Sequence, residues 1–201
     1  MGHTMNPDSK QTVVLFSGLP YSGKTAIIQR LLRRLPGKAI YVDGIFRDIV
    51  SEEDVCLERW LEEGPRLVEG IIDLITSAKE AHIYVEVGIL PSKHRGNLMQ
   101  WIRKNNYHLV PILLQCESKK DIEQRQQARA QALASQPEKL KIAIDLDELY
   151  GPILAAFDKI MDSEGYYTIN TAELIEKNVE EICGLIHNHA KNSKESREIC
   201  L

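Results

Sequence analysis

Long apolar runs are missing from this sequence of 201 residues. A helix that spans a membrane needs roughly 20 consecutive apolar residues, and no stretch approaches that length. The first residues, MGHTMNPDSKQT, are polar and lack the basic region followed by an apolar core that marks a signal peptide. We therefore expect residues 1–11 to form a flexible tail, the protein to have no membrane association, and its location to be the cytoplasm.

Cysteine is scarce and scattered. The four cysteines form no C-x-x-C pair, which argues against a zinc site of the usual spacing. A chain of this length can build a sizeable core without disulfide bonds. His187 and His189 would face apart on a helix, so the histidines indicate no metal cluster either. A metal held entirely by protein ligands is not expected.

Positive charge is not in excess. The net charge is −4 at pH 7, so no general attraction to a polyanion is expected. The distribution is uneven, because residues 48–63 carry seven acids and one arginine, whereas residues 93–104 carry four lysines and arginines and no acid. Solvated helix faces explain both segments, and binding surfaces are the alternative.

Short β-branched and aromatic runs recur along the chain, and the segments between them carry apolar residues at helical spacing. The runs are TVVLF (12–16), AIYVD (39–43), HIYVEVGIL (82–90), HLVPILLQC (108–116) and YYTIN (166–170). Strands that alternate with helices indicate βαβ units. We predict one domain over residues 12–190, an α/β three-layer sandwich with a mainly parallel five-stranded sheet, followed by a flexible tail over residues 191–201.

Three local expectations accompany this fold. The acidic stretch 47–62 is expected to be helical, and the closing helix is expected to end near His189. Pro111 lies inside the fourth run, where it cannot donate a ladder hydrogen bond. We therefore expect it at a bulge or among the first residues of its strand.

The most specific motif follows the first predicted strand. Residues 18–25, GLPYSGKT, match G-x-x-x-x-G-K-[ST] and precede a predicted helix. Glycines allow successive N–H groups to turn inward, and the helix dipole adds positive potential there. The motif predicts a loop that binds a nucleoside triphosphate through Gly18, Leu19, Pro20, Tyr21, Ser22, Gly23, Lys24, Thr25 and Ala26. Lys24 would reach the β- and γ-phosphates, and the Thr25 hydroxyl would bind Mg²⁺. A glycine-rich turn that binds nothing is the alternative.

The chain resembles the small P-loop kinases of the adenylate-kinase-like group. Within that group it is most similar to the branch with polynucleotide 5′-hydroxyl kinases, zeta toxins, chloramphenicol phosphotransferase and gluconate kinase. The resemblance covers about residues 12–189 and rests on four stretches: GLPYSGKT, YVDGIFR, the region from Val85 to Cys116, and CESKKDIEQRQQAR with the later YYTINTAELIEKNVEEICGLI. The sequence departs from the family where Gly44 replaces a common second acid and where Glu86 replaces a common Asp.

The resemblance implies an ATP-dependent kinase that uses Mg²⁺, and it implies roles for several side chains. Asp43 would act as the general base or contact the acceptor, with a helix N-cap as the alternative. Arg47, one turn further on, would hold the acceptor or orient Asp43, and an ordinary surface arginine explains it equally well. Glu86 would support the metal or contact the acceptor, or it would lie beyond the strand in solvent.

The predicted lid helix carries Arg125 and Arg129 four residues apart, so the two side chains share a face. The resemblance implies that they neutralise charge on the transferred phosphate, and a solvated basic face is the alternative. Arg95 would contact the acceptor or merely solvate its helix. Trp60 and Trp101 are interpreted as core residues.

We predict from this that the protein transfers the γ-phosphate of Mg·ATP to a hydroxyl of an acceptor. A small molecule is preferred because of the acid-rich segment 48–63 and the net charge. A nucleotide or polynucleotide kinase is the alternative that the basic segment 93–104 favours. An ATPase or switch protein that acts through a partner is an alternative of another class, and an inactive nucleotide-binding relative is a third. Four questions stay open. They are the identity of the acceptor, the preference for ATP or GTP, the oligomeric state, and whether Asp43 or Glu86 is the general base.

Overall fold

The computed structural model describes residues 10–134 and 146–198. Most of the expected N-terminal tail therefore lies outside the described residues. Gln11, the last residue of that tail, is fixed to the domain, because its side-chain amide donates to the carbonyl oxygens of Ala78 at 3.0 Å and Glu80 at 2.9 Å. No helix in the described ranges is long and apolar enough to cross a membrane.

The sheet has five strands, all parallel, in the spatial order β2-β3-β1-β4-β5. The strands are β1 Thr12–Ser17, β2 Lys38–Tyr41, β3 His82–Gly88, β4 His108–Gln115 and β5 Tyr167–Asn170. The central strand β1 is buried along its whole length, as expected for a strand with layers on both faces. The predicted fold class is confirmed.

Eight α-helices connect and cover these strands within the described residues. They are α1 Lys24–Arg34, α2 Val42–Ile49, α3 Leu57–Glu62, α4 Gly64–Ser77, α5 Ser92–Lys104, α6 Lys119–Ala134, α7 Leu146–Ala156 and α8 Ile175–Glu198. Short 3₁₀ turns occur at Glu52–Asp54 and Asp162–Glu164. The closing helix α8 thus continues beyond His189, where the sequence pattern had placed its end.

Alternating side chains of β1 divide the core into two halves. Val13 and Leu15 pack with the apolar residues of α2, α4 and α5 on one face of the sheet. Val14 and Phe16 pack with those of α1 and α8 on the other face. Because side chains of a strand alternate in direction, this division is what a three-layer sandwich requires.

The acidic stretch 47–62 is helical as expected over most of its length, but it is divided into three short helical pieces. Helix α2 ends at Ile49, and Val50 is extended and buried, with 6% of its surface exposed. A 3₁₀ turn and the extended Cys56 follow before α3 begins. The β-branched Val50 turns into the core in place of continuing the helix.

Pro111 also differs from expectation, because it is the fourth residue of β4 and lies opposite Leu15 in the ladder with β1. The ladder between β4 and β5 begins only at Ile112. Pro111 therefore lies where β4 has one neighbouring strand, which is the position in a sheet that tolerates a missing N–H.

Candidate active site

The loop between β1 and α1 has the backbone that its glycines predict. Gly18 has φ 145° and Gly23 has φ 89°, in the region that favours glycine. A Cβ at Gly18 would lie 2.4 Å from the carbonyl oxygen of Leu114. Helix α1 begins at Lys24 without a side-chain cap and without an acid in its first turn. Its first N–H groups are therefore available to an anion.

Lys24 is held inside this loop. Its Nζ donates to the carbonyl oxygens of Gly18 at 3.0 Å and Leu19 at 2.9 Å, and to Ser22 Oγ at 3.3 Å. Only 7% of its surface is exposed. Burial lowers the pKa of Lys24, while the nearby carboxylates of Glu86 and Asp43 act in the opposite direction. The ammonium group is thus positioned by neutral carbonyls, with carboxylates close by.

Glu86 brings β3 to the same place. Thr25 Oγ1 donates to Glu86 Oε2 at 3.0 Å, and Lys24 Nζ lies 3.9 Å from Glu86 Oε1. Burial raises the pKa of Glu86, and the positive charge of Lys24 partly offsets that rise. Glu86 lies inside β3, not beyond it, which rules out the interpretation as a solvated residue past the strand.

These oxygens fit the requirements of Mg²⁺ bound together with a nucleotide. Mg²⁺ usually takes one or two carboxylates, phosphate oxygens and several waters, so it does not need a protein cage. The hydroxyl of Thr25 and the carboxylate of Glu86 are hard oxygen ligands already in contact. In the described part of the chain no group of three or more His, Cys, Asp or Glu side chains that could hold a metal ion occurs.

Asp43 lies in the first turn of α2, which begins at Val42. The sequence had predicted that the second strand continues to Asp43. It is exposed to the same cavity as Lys24 and Glu86, and its charge influences both of them. The helix has Tyr41 at its N-cap position and no side-chain cap. The interpretation of Asp43 as an N-cap was therefore wrong.

The two arginines of α6 both face the cavity but differ in their contacts. Arg125 donates to the carbonyl oxygen of Tyr21 at 2.8 Å, to Thr171 Oγ1 at 3.2 Å and to the carbonyl oxygen of Thr171 at 2.5 Å. It thereby ties α6 to the loop between β1 and α1 and to the residue that follows β5. Arg129 is half-buried and has no hydrogen bond or ion pair with the described residues.

Arg47 and Arg95 do not line this cavity. Arg47 is exposed on α2. Arg95 is fully buried, donates to Glu164 at 3.2 and 3.0 Å, and reaches the carbonyl oxygen of Leu90 at 2.6 Å. Arg95 is therefore neither a solvated surface residue nor an exposed contact for an acceptor, because its guanidinium joins α5 to the 3₁₀ turn before β5.

One cavity of about 700 Å³ is lined by most of the predicted residues, and its lining falls into two chemically different groups, which we call the nucleotide end and the apolar end. The nucleotide end is formed by the phosphate loop, Arg125, Arg129 and residues 171–178. The apolar end is formed by Phe46, Val55, Cys56, Leu57, Trp60, Ile89 and Ile153. Asp43 and Glu86 also contribute to the cavity wall, as do Gly18, Pro20, Tyr21, Gly23, Lys24, Thr25 and Ala26 of the predicted nucleotide-binding set. Leu19 and Ser22 face a smaller neighbouring pocket.

Sequence reasoning missed the apolar end. Phe46 was not singled out, and Trp60 was interpreted as a core residue, which it is, but it also lines the cavity. Thr171 and Asn178, which line the nucleotide end, were not predicted from the sequence either. The signal for Thr171 was its position directly after the last strand, because ligands bind at the carboxyl ends of parallel strands.

The sheet order and the G-x-x-x-x-G-K-T loop between β1 and α1 define the class of this fold, which is that of the P-loop proteins. No protein-family model and no curated protein matches the chain. Solved structures do match it. A gluconokinase from Sinorhizobium meliloti 1021 superposes with a TM-score of 0.65 at 14% identity, over 94% of this chain and 98% of that one.

Two further solved structures are similar to this chain in fold. The APS kinase of Mycobacterium tuberculosis, in complex with AMPPNP and APS, has a TM-score of 0.62 at 15% identity over 89% of this chain and 98% of that one. A sugar kinase from Janibacter sp. HTCC2649 has a TM-score of 0.58 at 14% identity over 88% and 95%. At these identities the likeness shows the fold, and it confirms the P-loop kinase fold that the sequence resemblance implied.

Proposed function

We propose that the protein is an ATP-dependent phosphotransferase, which moves the γ-phosphate of ATP to a hydroxyl group of a small molecule. The observation that carries this proposal is the placement of Asp43 and Lys24 in one cavity, with the apolar end beside them. A hydrolase needs only water next to the γ-phosphate, whereas this cavity also has apolar lining residues such as Phe46, Trp60 and Ile153. The kinase names of the three structural neighbours support the same reaction class.

In the proposed reaction the acceptor oxygen attacks the γ-phosphorus while the bond from that phosphorus to the β–γ bridging oxygen breaks, and ADP leaves. Asp43 takes the proton of the acceptor hydroxyl, because it is a carboxylate exposed to the cavity within the electrostatic reach of Lys24. Lys24 turns from the loop carbonyls to the β- and γ-phosphates. Glu86 remains the second candidate for the base, but its contact with Thr25 favours a role at the metal.

Thr25 and Glu86 are the residues that would hold Mg²⁺. When bound, the ion would neutralise charge on the β- and γ-phosphates. The chain's own residues bind and orient the nucleotide: the α1 N–H groups receive the phosphates, and Arg125 keeps Tyr21 of the loop fixed against the end of β5.

The two lid arginines have different proposed roles. Arg125 already has three hydrogen bonds to the backbone and side chains around it, so its movement would cost those bonds. Arg129 faces the cavity without such bonds among the described residues. We therefore assign to Arg129 the stabilisation of charge on the transferred phosphate, and to Arg125 the positioning of the loop.

A small-molecule acceptor is favoured over a polynucleotide because of the charges around the cavity. The basic segment 93–104 supported the polynucleotide alternative, but Arg95 is buried in a bidentate contact with Glu164. The acceptor side of the cavity contributes carboxylates, which repel a phosphate chain.

The fate of the labelled γ-phosphate tests the proposal. The protein is incubated with γ-labelled ATP, Mg²⁺ and a panel of sugars, nucleosides, oligonucleotides and aminoglycoside-like compounds, and the products are separated. Label in a phosphorylated small molecule is the expected result. Label in inorganic phosphate alone, with release stimulated by a protein partner, would support the switch alternative and overturn the kinase.

A further inference from the structure

Among the described residues that line the cavity, the cationic side chains belong to one end of it. They are Lys24, Arg125 and Arg129 of the nucleotide end. Within residues 10–134 and 146–198, the lining of the apolar end includes no lysine, arginine or histidine. The carboxylates that line the cavity are Asp43 and Glu86, which lie close to Lys24, and Glu173 of the nucleotide end. An anionic acceptor would therefore meet no counter-charge where its body lies.

The apolar end is an aromatic corner backed by aliphatic side chains. The rings of Phe46 and Trp60 meet edge to face, with their centroids 5.0 Å apart. Ile89 and Ile153 belong to the same apolar cluster, and Val55 and Leu57 pack against it. A surface of this kind stabilises a bound ring by burial and by ring–ring contact, and it offers little to a polyol, whose hydroxyl groups need hydrogen-bond partners.

Trp60 also carries a hydrogen-bond donor that the protein does not use. Its indole Nε1–H is buried and has no partner in the described part of the chain. Buried donors are normally paired, and leaving one unpaired is unfavourable. The ring that bears this donor is part of the cavity wall, but the Nε1 atom itself is shielded from solvent, so Trp60 offers the cavity the apolar part of its ring.

We propose that the phosphate acceptor is an uncharged or cationic hydroxyl compound with an apolar, ring-containing body. This inference rests on the proposed kinase function and adds the chemical class of its substrate. The ring occupies the apolar end against the partly exposed Val55 and Leu57 and the edge of Trp60, and the hydroxyl group points towards Asp43. A positive charge on the compound is accepted because Asp43 and Glu86 are near, and a negative charge is rejected for the same reason.

Three compounds that share a phenyl ring and a benzylic hydroxyl isolate the effect of charge. They are 2-amino-1-phenylethanol, which is cationic, 1-phenylethane-1,2-diol, which is neutral, and mandelate, which is anionic. Sorbitol and gluconate serve as controls without a ring. Binding to the full chain is measured by calorimetry with and without AMPPNP and Mg²⁺, and phosphate transfer from γ-labelled ATP is measured in parallel.

We expect the cationic and neutral aromatic compounds to bind at least about tenfold more tightly than mandelate, sorbitol or gluconate. Tight binding of mandelate or gluconate would overturn the inference. If neither favoured compound binds while AMPPNP still binds, the inference is also overturned. That result would leave the kinase proposal in place. If AMPPNP fails to bind, the kinase proposal fails, and the binding measured without nucleotide still decides the chemistry of the apolar end.

A charge change in the wall provides a second readout. Cys56 is partly exposed and lines the apolar end. We compare the ratio of the affinity for mandelate to the affinity for 2-amino-1-phenylethanol. In the C56R variant this ratio should be at least about tenfold higher than in the unmodified chain. E58Q raises the net charge by the same amount on the exposed surface of α3, away from the cavity, and should leave the ratio unchanged. An unchanged ratio in C56R, or in V55R if C56R does not fold, would contradict the inference.

Discussion

The two ends of the cavity are built in different ways. The nucleotide end depends on backbone: Gly18 and Gly23 adopt conformations that favour glycine, and Lys24 is held by loop carbonyls. The apolar end depends on side-chain packing, with Phe46 and Trp60 contributed by separate helices. A backbone cradle can receive any polyphosphate tail, whereas a packed wall selects by shape and charge. Under the proposed function, the chemistry of the reaction would belong to the first end and the choice of substrate to the second.

Substitutions at the nucleotide end are expected to cause the largest loss of phosphate transfer. Lys24→Ala removes the buried ammonium that would neutralise the β- and γ-phosphates, and it should reduce phosphate transfer by about 10³-fold. Transfer from γ-labelled ATP and calorimetric binding of ATP are the measurements. Arg33→Ala removes an exposed cation from the same helix and is the control. Equal losses in both variants would show that the cavity cation has no special role.

Asp43 lines the cavity close to Lys24 and Glu86, and its removal should separate chemistry from binding. Asp43→Asn keeps the shape but cannot take a proton, so transfer should fall by about 10²-fold while ATP binding stays within about twofold. Asp48→Asn, an exposed carboxylate on the same helix, is the matched control. Full transfer by Asp43→Asn would remove Asp43 from the mechanism and favour Glu86 as the base.

The lid arginines offer a test within the nucleotide end. Arg129→Ala should lower the rate of transfer about tenfold or more with little change in ATP affinity, because the side chain acts on charge that develops during transfer. Arg125→Ala should mainly weaken ATP binding and lower the melting temperature, because it breaks the contacts with Tyr21 and Thr171. Steady-state kinetics with thermal melting distinguishes the two patterns, and the reverse pattern would exchange the two roles.

Arg95 belongs to neither end, so disturbing it should change stability. Glu164→Ala leaves the buried guanidinium without its carboxylate and should lower the free energy of unfolding by about 3 kcal/mol. Glu176→Ala breaks contacts with Arg30 and Arg34 that are about half exposed, and should cost less than about 1 kcal/mol. Urea unfolding of both variants is the measurement. A similar small loss in both would mean that the buried pair contributes no more than a surface pair.

The sequence predicted the loop of residues 18–25 between a strand and a helix because the parts of this loop are contiguous. Residues 18–25 carry the required glycines, the lysine and the threonine in one stretch, so local chemistry is sufficient. The alternation of strands and helices likewise predicted the parallel sheet. Asp43 was placed correctly at the sheet edge, although it begins a helix and does not end a strand.

The apolar end could not be predicted from the same patterns. Phe46 and Trp60 occupy positions that look like ordinary core residues, and only the break in the acidic stretch after Ile49 brings α3 back over α2. Arg95 was misinterpreted for a related reason: its partner Glu164 is 69 residues away in the chain. Long-range pairing of this kind leaves no trace in local periodicity or charge.

The central claim is that the loop of residues 18–25 binds a nucleoside triphosphate together with Mg²⁺, and calorimetric titration with ATP and Mg²⁺ tests it most directly. We predict one nucleotide per chain, a rise in the melting temperature when ATP is bound, and loss of both in Lys24→Ala. The absence of heat and of thermal protection with both ATP and GTP would contradict the account.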